Sequence, residues 1–365
     1  MKKILIFSTA YYPLVGGAEV AVKEITGRIS DIQFDMVTIW LDKNSTQQEK
    51  IGNVNIHRIK TPKLLFPFLG FLKAIQLHKK NNYDAIWSIM ASYSGFTALF
   101  FKLLHPKIPY ILTLQEGDPI PEIKRKIFFV YPLFKMVFTK ADFIQAISSY
   151  LADWARDMCA KCQIEVIPNG VDIERFKIQD SRFRNNEITL ITTSRLVKKN
   201  AVDDVIEAMQ YLPENLKFLI LGTGPLENIL KFKIKNLKLD GRVLMLGHID
   251  HEDLPSYLKT ADIFIRPSLS EGMGNSFIEA MAAGVPVIAT PVGGIPDFLK
   301  DKETGLFCEI NNPKSIAEKV KIYLENDGLR KKIIKNAQEM VVKNYDWNLI
   351  AKNMRKKVFE KIFTE

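Results

Sequence analysis

The chain has 365 residues, too many for one ordinary hydrophobic core and enough for two. With 47% hydrophobic and 25% charged residues its composition is globular, which excludes disordered and fibrous classes, and no run of eighteen apolar residues marks a membrane-spanning helix. A formal net charge of +10 favours acidic partners (phosphates, nucleic acid or an anionic membrane surface), and three cysteines cannot form a disulfide framework, which fits a reducing cytoplasm.

Met1-Lys2-Lys3 before Ile4-Leu5-Ile6-Phe7 looks superficially like a signal peptide, but Tyr11, Tyr12 and Pro13 interrupt it and no small-residue cleavage site follows. A buried first strand is the better reading. Further strands are expected at Asp35 to Trp40, Ala85 to Ile89, Tyr110 to Leu114 and Phe143 to Ile147, with helices around Glu19 to Ile29, Leu64 to His78 and Tyr93 to Leu104. Strands apolar on both faces that alternate with helices imply a parallel sheet covered on both sides. Pro168, Asn169 and Gly170 break the pattern, and a second series then starts. Its strands are expected at Ile188 to Thr193, Lys217 to Leu221, Val243 to Leu246, Ile263 to Arg266 and Val285 to Thr290. Its helices are expected at Ala201 to Tyr211, Pro225 to Lys235, Leu254 to Lys259, Asn275 to Ala283 and Pro313 to Glu325. In such sheets ligands bind beyond the carboxyl ends of the strands, so two facing halves imply a cleft between them.

Four loops after strands carry the residue types that chemistry needs. Gly16 and Gly17 in Pro13-Leu14-Val15-Gly16-Gly17-Ala18-Glu19 open a helix, where bare backbone can approach an anion. Arg195, Lys198 and Lys199 in Ser194-Arg195-Leu196-Val197-Lys198-Lys199-Asn200 suit a diphosphate whose leaving charge must be stabilised. Leu221-Gly222-Thr223-Gly224-Pro225 lacks the third glycine of a dinucleotide fingerprint, and Pro225 reads as a helix start. The fourth loop runs from Pro267 to Val287 and holds Glu271, Gly272, Met273, Gly274, Asn275 and Glu279. Its glycines free amides at a helix start, and each carboxylate can accept two hydroxyl hydrogen bonds. Cys159 and Cys162 form a C-x-x-C with no second pair, and read as ordinary thiols near a helix end.

Taken together, these motifs resemble the group 1, family 4 retaining glycosyltransferases of the GT-B fold. The match runs through Ile167-Pro168-Asn169-Gly170-Val171-Asp172, Ser194-Arg195-Leu196, Leu221-Gly222-Thr223-Gly224-Pro225, the Glu-x7-Glu at Glu271 and Glu279, Thr290-Pro291-Val292-Gly293-Gly294-Ile295-Pro296, and Gly16-Gly17-Ala18-Glu19. The resemblance implies an α/β architecture of two Rossmann-like β/α/β domains facing a central cleft. Residues 1–168 with 346–365 would form the acceptor-side domain, and residues 169–345 the nucleotide-sugar domain. It also implies transfer of a sugar from a UDP- or GDP-sugar to a glycan or lipid-linked acceptor, without a metal or other cofactor. By the same resemblance Arg195 and Lys199 would bind the diphosphate, while Glu271 and the amides of Gly272 to Asn275 would hold the sugar and diphosphate. Glu279 would bind the ribose, backbone near His248 and Ile249 the base, Gly222 the donor, and Gly16 with Gly17 the phosphates from the opposite half.

Two positions depart from the family pattern. The histidine that many members carry beside the donor sugar is replaced by Gln115-Glu116-Gly117-Asp118, and their lysine-glycine pair by Asn200-Ala201. Gln115, Glu116 and Asp118 therefore become candidate sugar-side groups, and a nucleotide-sugar epimerase or a non-catalytic nucleotide-sugar-binding subunit stand as alternative readings. Separately, Phe66, Phe68, Phe71, Phe128 and Phe129 lie among Lys63, Lys73, Lys124 and Arg125. That mixture suggests a cytoplasmic enzyme docking peripherally on the anionic inner face of a membrane. No nucleic-acid module is recognised.

Overall fold

The computed structural model describes residues 1–176 and 188–364. The chain divides into two compact units, Met1–Gly170 with Trp347–Glu365 and Val171–Asp346.

The first unit is an eight-stranded sheet of β1 (Lys2–Phe7), β2 (Ile32–Ile39), β3 (Gln48–Ile51), β4 (Val54–Ile59), β5 (Ala85–Ile89), β6 (Tyr110–Leu114), β7 (Phe143–Ala146) and β8 (Gln163–Val166). The strand order is β3-β4-β2-β1-β5-β6-β7-β8. Its helices are α1 (Gly17–Gly27), α2 (Phe66–Asn81), α3 (Tyr93–Leu104), α4 (Ile120–Lys126), α5 (Tyr131–Thr139) and α6 (Ser149–Asp157). Ile4 to Phe7 and the whole of β5 and β6 are buried, as expected of strands covered on both faces. One expectation needs correction. The sheet is parallel except at its edge, where β3 runs antiparallel to β4. The two are joined by a tight turn at Gly52, whose φ of +58° suits a residue without Cβ. In β4 buried and half-buried residues alternate, the pattern of an outer strand, so the search for continuous apolar runs passes over it.

The second unit carries β9 (Ile188–Thr193), β10 (Leu216–Leu221), β11 (Val243–Gly247), β12 (Ile263–Arg266), β13 (Val287–Ala289) and β14 (Leu306–Phe307). All pairings are parallel, in the order β11-β10-β9-β12-β13-β14. Its helices are α7 (Ile173–Phe176), α8 (Val202–Ala208), α9 (Glu227–Asn236), α10 (Leu254–Thr260), α11 (Asn275–Ala282), α12 (Pro313–Glu325) and α13 (Asp327–Asn344). Pro225 does not start a helix; it lies in a turn, and α9 begins at Glu227. The last segment, α14 (Trp347–Met354) and α15 (Glu360–Thr364) joined by a π-helical stretch, belongs to the first unit. Trp347, Ile350, Met354, Val358 and Phe359 there share a core with Val22 of α1, Phe34 of β2 and Trp87 of β5.

In both sheets the first strand has neighbours that continue the chain in opposite directions. β1 lies between β2 and β5, and β9 between β10 and β12. Helices then leave to opposite faces, and a crevice opens beyond the carboxyl ends of β1 with β5 and of β9 with β12.

Candidate functional site

In the second unit the crevice beyond β9 and β12 is lined by two of the loops singled out in the sequence. The loop after β9 is held against the loop after β10 by backbone hydrogen bonds. Ser194 N donates to Leu221 O (2.9 Å), Leu196 N to Thr223 O (2.9 Å), and Leu226 N to Leu196 O (3.1 Å). A Cβ on Gly222 (φ +139°) would overlap the Ser194 carbonyl, and one on Gly224 the Leu196 backbone. These glycines therefore have a local job, close approach of two loop backbones that sets the path of the cation loop. Within that loop Asn200 is buried and its Nδ2 donates to Arg195 O (2.7 Å), while Arg195 and Lys198 are exposed and Lys199 half-buried. Asn200 thus acts as a clamp on the loop, and Ala201 follows it in the left-handed region (φ 47°), where a glycine would be unstrained.

Hydrogen bonds join the loop after β12 to its neighbours, among them that of Thr290 Oγ1 to Ser268 O. Leu269 N donates to Lys199 O (2.6 Å), and Gly294 N donates to Glu271 O (3.1 Å). A Cβ on Gly293 (φ +55°) would overlap the Glu271 backbone. The three segments 194–200, 266–275 and 290–294 are therefore one packed assembly.

Arg266, the last residue of β12, is not among the expected site residues. Its guanidinium is almost fully buried, donates to Glu271 Oε2 (2.5 Å) and Ser276 Oγ (2.8 Å), and lies 4.2 Å from the Phe277 ring centroid. Burial pulls its pKa down, opposed by the charges of Glu271 and Glu279. The other oxygen of Glu271, Oε1, accepts from Gly272 N (3.1 Å). Gly274 precedes α11 with φ +88°, and a Cβ there would come within 2.6 Å of Arg266 Nη2, so the glycine makes room for the guanidinium under the loop. Gly272 and Met273 are buried, and Asn275 opens α11.

Glu279, one turn into α11, does not pair with a lysine. Its Oε1 lies 2.8 Å from His251 Nε2, and His251 Nδ1 lies 3.0 Å from an Arg175 Nη1. A guanidinium can only donate, so Nδ1 must present its lone pair and the imidazole proton sits on Nε2, facing the carboxylate. Arg175 and Phe176 of α7 thus fix the ring that fixes Glu279. Ile249 is half-buried in the same segment as His251. Arg266, His251 and Arg175 each had a faint signal: a cation ending an apolar strand, a histidine in the loop after β11, and an arginine beside an aromatic in α7.

The remaining candidates lie in the first unit. Gly16 caps α1, and the Glu19 carboxylate accepts hydrogen bonds from the Gly16 and Glu19 amides; burial nonetheless raises its pKa. This is a capping-box arrangement in which a side-chain carboxylate holds the place an anionic ligand would take. Gln115 Oε1 accepts from Asn169 Nδ2 (3.3 Å). Glu116 is buried, with Oε1 accepting from Ala91 N (2.6 Å) and Oε2 from Gln115 N (3.0 Å). Burial pushes its pKa up to about 7 against the pull of those amides. Asp118 is exposed. Among the described residues no helix is long and apolar enough to cross a membrane.

Two family models match consecutive stretches of the chain. Residues 15–175 fit "Glycosyltransferase Family 4" and residues 173–340 fit "Glycosyl transferases group 1". An uncharacterized glycosyltransferase of Methanocaldococcus jannaschii is 29% identical over 98% of each chain. The UDP-Gal:alpha-D-GlcNAc-diphosphoundecaprenol alpha-1,3-galactosyltransferase of Escherichia coli is 25% identical over 94% of each. Among solved structures, Anabaena HepE in complex with UDP-glucose superposes with a TM-score of 0.84 at 18% identity, covering 99% of this chain and 100% of that one. With two Rossmann-like units of the GT-B type and family matches that run on from one another, this chain belongs to the group 1, family 4 glycosyltransferases.

Proposed function

We propose that the enzyme transfers a sugar from a UDP- or GDP-sugar to a glycan or lipid-linked acceptor, with retention of anomeric configuration, without a metal ion, and in the cytoplasm. The observation that carries this reading is the assembly at the β9/β12 crevice. There the cation loop and Glu271 lie on interlocked loops, Glu279 follows one turn into α11, and each carboxylate is oriented by its own basic partner. In that arrangement Arg195 and Lys199 would neutralise the departing diphosphate, the work a metal ion does elsewhere. Glu271 and the amides of Gly272 to Asn275 would hold the donor sugar, and Glu279 would accept from the ribose hydroxyls. Gly16 and Gly17 would meet the phosphates only if Glu19 yields the α1 amides. The UDP-glucose bound to the structural neighbour and the diphosphoundecaprenol acceptor of the E. coli relative support the donor and acceptor classes. The epimerase alternative needs a free acid or base beside the sugar, and Glu116 has both oxygens on backbone amides.

A thermal-shift panel of UDP- and GDP-sugars in EDTA tests the donor site, since a ligand of the native state raises the melting temperature by mass action. A rise with one nucleotide family that disappears in Glu279→Ala is expected. No rise with any of them would sink the donor assignment, and NMR of the anomeric proton in the transfer product would decide retention.

A further inference from the structure

The first unit carries apolar surface that its own fold leaves uncovered. None of the residues of the 3-10 turn Lys63–Leu65, of α4, or of the 3-10 turn Phe128–Val130 is buried. Phe129 is 95% exposed, Phe128 72%, Leu64 71% and Phe68 58%. A folded chain rarely leaves two adjacent phenylalanines in water without a use for them.

These segments follow β4 and β6, at the carboxyl ends of the strands. In a parallel sheet the helix that follows a strand begins at the strand's carboxyl end, so α2, α3 and α5 all start there. α3 packs against both α2 and α5. Lys63 Nζ sits 5.4 Å over the Tyr93 ring at the start of α3, Phe68 stacks on Phe100 at 5.4 Å, and Phe96 of α3 lies 6.0 Å from Phe134 of α5. The Phe66 ring, expected among the inserting residues, is instead fully buried beneath α2. It anchors the helix whose outer face bears Phe68 and Leu69.

Charge identifies the occupant. Arg58 is buried against Glu49 and Lys102 pairs with Asp142, whereas Lys63 stands beside Leu64 and Leu65 in a stretch with no acidic residue from Lys50 until Asp84, which pairs with Lys2 at 2.9 Å. Lys124, Arg125 and Lys126 in the last turn of α4, which holds one acidic residue, Glu122, are separated from the exposed phenylalanines by Ile127 alone. Apolar side chains at a basic rim fit a surface that is anionic outside and hydrocarbon within. A protein partner would more often meet an apolar core with a mixed polar rim.

We infer that the face formed by Leu64, Leu65, Phe68, Leu69, Phe128 and Phe129 is a docking surface for an anionic lipid bilayer, on which Lys63 and Lys124 to Lys126 contact headgroups. This stands on the first unit alone and does not depend on the donor assignment. The test is co-sedimentation of the full chain with vesicles of phosphatidylcholine alone and of phosphatidylcholine mixed with phosphatidylglycerol, at low and high salt. Binding to the mixed vesicles at low salt, weakened by salt, is expected. Phe128→Ser with Phe129→Ser should lower the partition coefficient at least about tenfold. Replacing Lys124, Arg125 and Lys126 by Gln should lower it on the order of a hundredfold. Melting temperatures of the variants, measured without ligand, show that each is folded, so the vesicle result can be read whether or not a nucleotide sugar binds. No binding of the parent to mixed vesicles, equal binding to both vesicle types, or undiminished binding by both variants would overturn the proposal. So would concentration-dependent self-association without vesicles that disappears in the Phe128/Phe129 variant, which would make the face a protein interface.

Discussion

Arg266→Leu removes the buried cation that orients Glu271. The two side chains are 8% and 14% exposed, and the replacement takes away the charged donor at Oε2 while the Gly272 amide still donates to Oε1. Removing one partner of such a pair costs about 3–5 kcal/mol, because the remaining charge stays desolvated without compensation. In a unit of this size that lowers the melting temperature by roughly 2–4 °C per kcal/mol, so a drop on the order of 10 °C is expected. Arg266→Leu combined with Glu271→Gln removes both charges, and the new side-chain amide oxygen can still accept from the Gly272 amide. The double variant should therefore recover to within about 1–2 kcal/mol of the parent, so that Glu271→Gln rescues Arg266→Leu by about 2–3 kcal/mol, and the coupling in the double-mutant cycle is larger by the cost of Glu271→Gln alone. Urea unfolding of the four proteins measures it. Recovered stability should not bring back the nucleotide-sugar thermal shift, because the carboxylate assigned to the sugar is gone. Parental stability of Arg266→Leu, or a coupling below about 0.5 kcal/mol, would refute the reasoning.

Three other outcomes are expected from the same geometry. Gly222→Ala forces a Cβ into the Ser194 carbonyl at a positive φ and should cost about 2–4 kcal/mol, read by urea unfolding, with weaker nucleotide binding because the Arg195 loop must shift. His251→Ala frees Glu279 from its oriented donor and should weaken UDP or GDP binding about tenfold by calorimetry; unchanged affinity would show that the imidazole does not position that carboxylate. Glu116 has a folded pKa of about 7, raised from 4.5. The native state therefore holds the proton more tightly than the unfolded chain, and stability is lost as pH rises from about 4.5 through about 7, by about 3 kcal/mol. Glu116→Gln should start less stable, since its amide can accept from one of the two backbone donors, yet show a flatter slope between about pH 5 and 8; equal slopes would place that pH dependence elsewhere.

Much of the fold is legible along the chain. Ala85–Ile89, Tyr110–Leu114, Ile188–Thr193 and Ile263–Arg266 are short apolar runs, and each is a strand over those bounds because a strand buried on both faces tolerates few polar residues. β4 escapes because its buried and half-buried residues alternate, and the edge strand β8 because it carries polar residues, so neither is a continuous apolar run. α5 and α6 escape because each is only nine residues long, too short for the helical period to show.

The candidate site divides in the same way. Residue types and spacing alone, Glu271 and Glu279 eight apart, the glycines between them and three cations after a strand, mark the loops that bear chemistry, because a small residue or a charge beside an apolar run has few structural uses. What those side chains touch is decided only by the tertiary structure. Arg266 beneath Glu271, His251 and Arg175 behind Glu279, Asn200 clamping the Arg195 carbonyl, and Glu19 on the α1 amides are pairings between positions brought together by strand order and loop packing. Burial is likewise a property of the folded surroundings. It buries Phe66 while its neighbour Phe68 stays in water, and it raises Glu116 to about 7 while Asp118, two residues on, remains exposed. A local pattern records what a residue is able to do; the dielectric and the partners around it, supplied by distant segments, decide what it does.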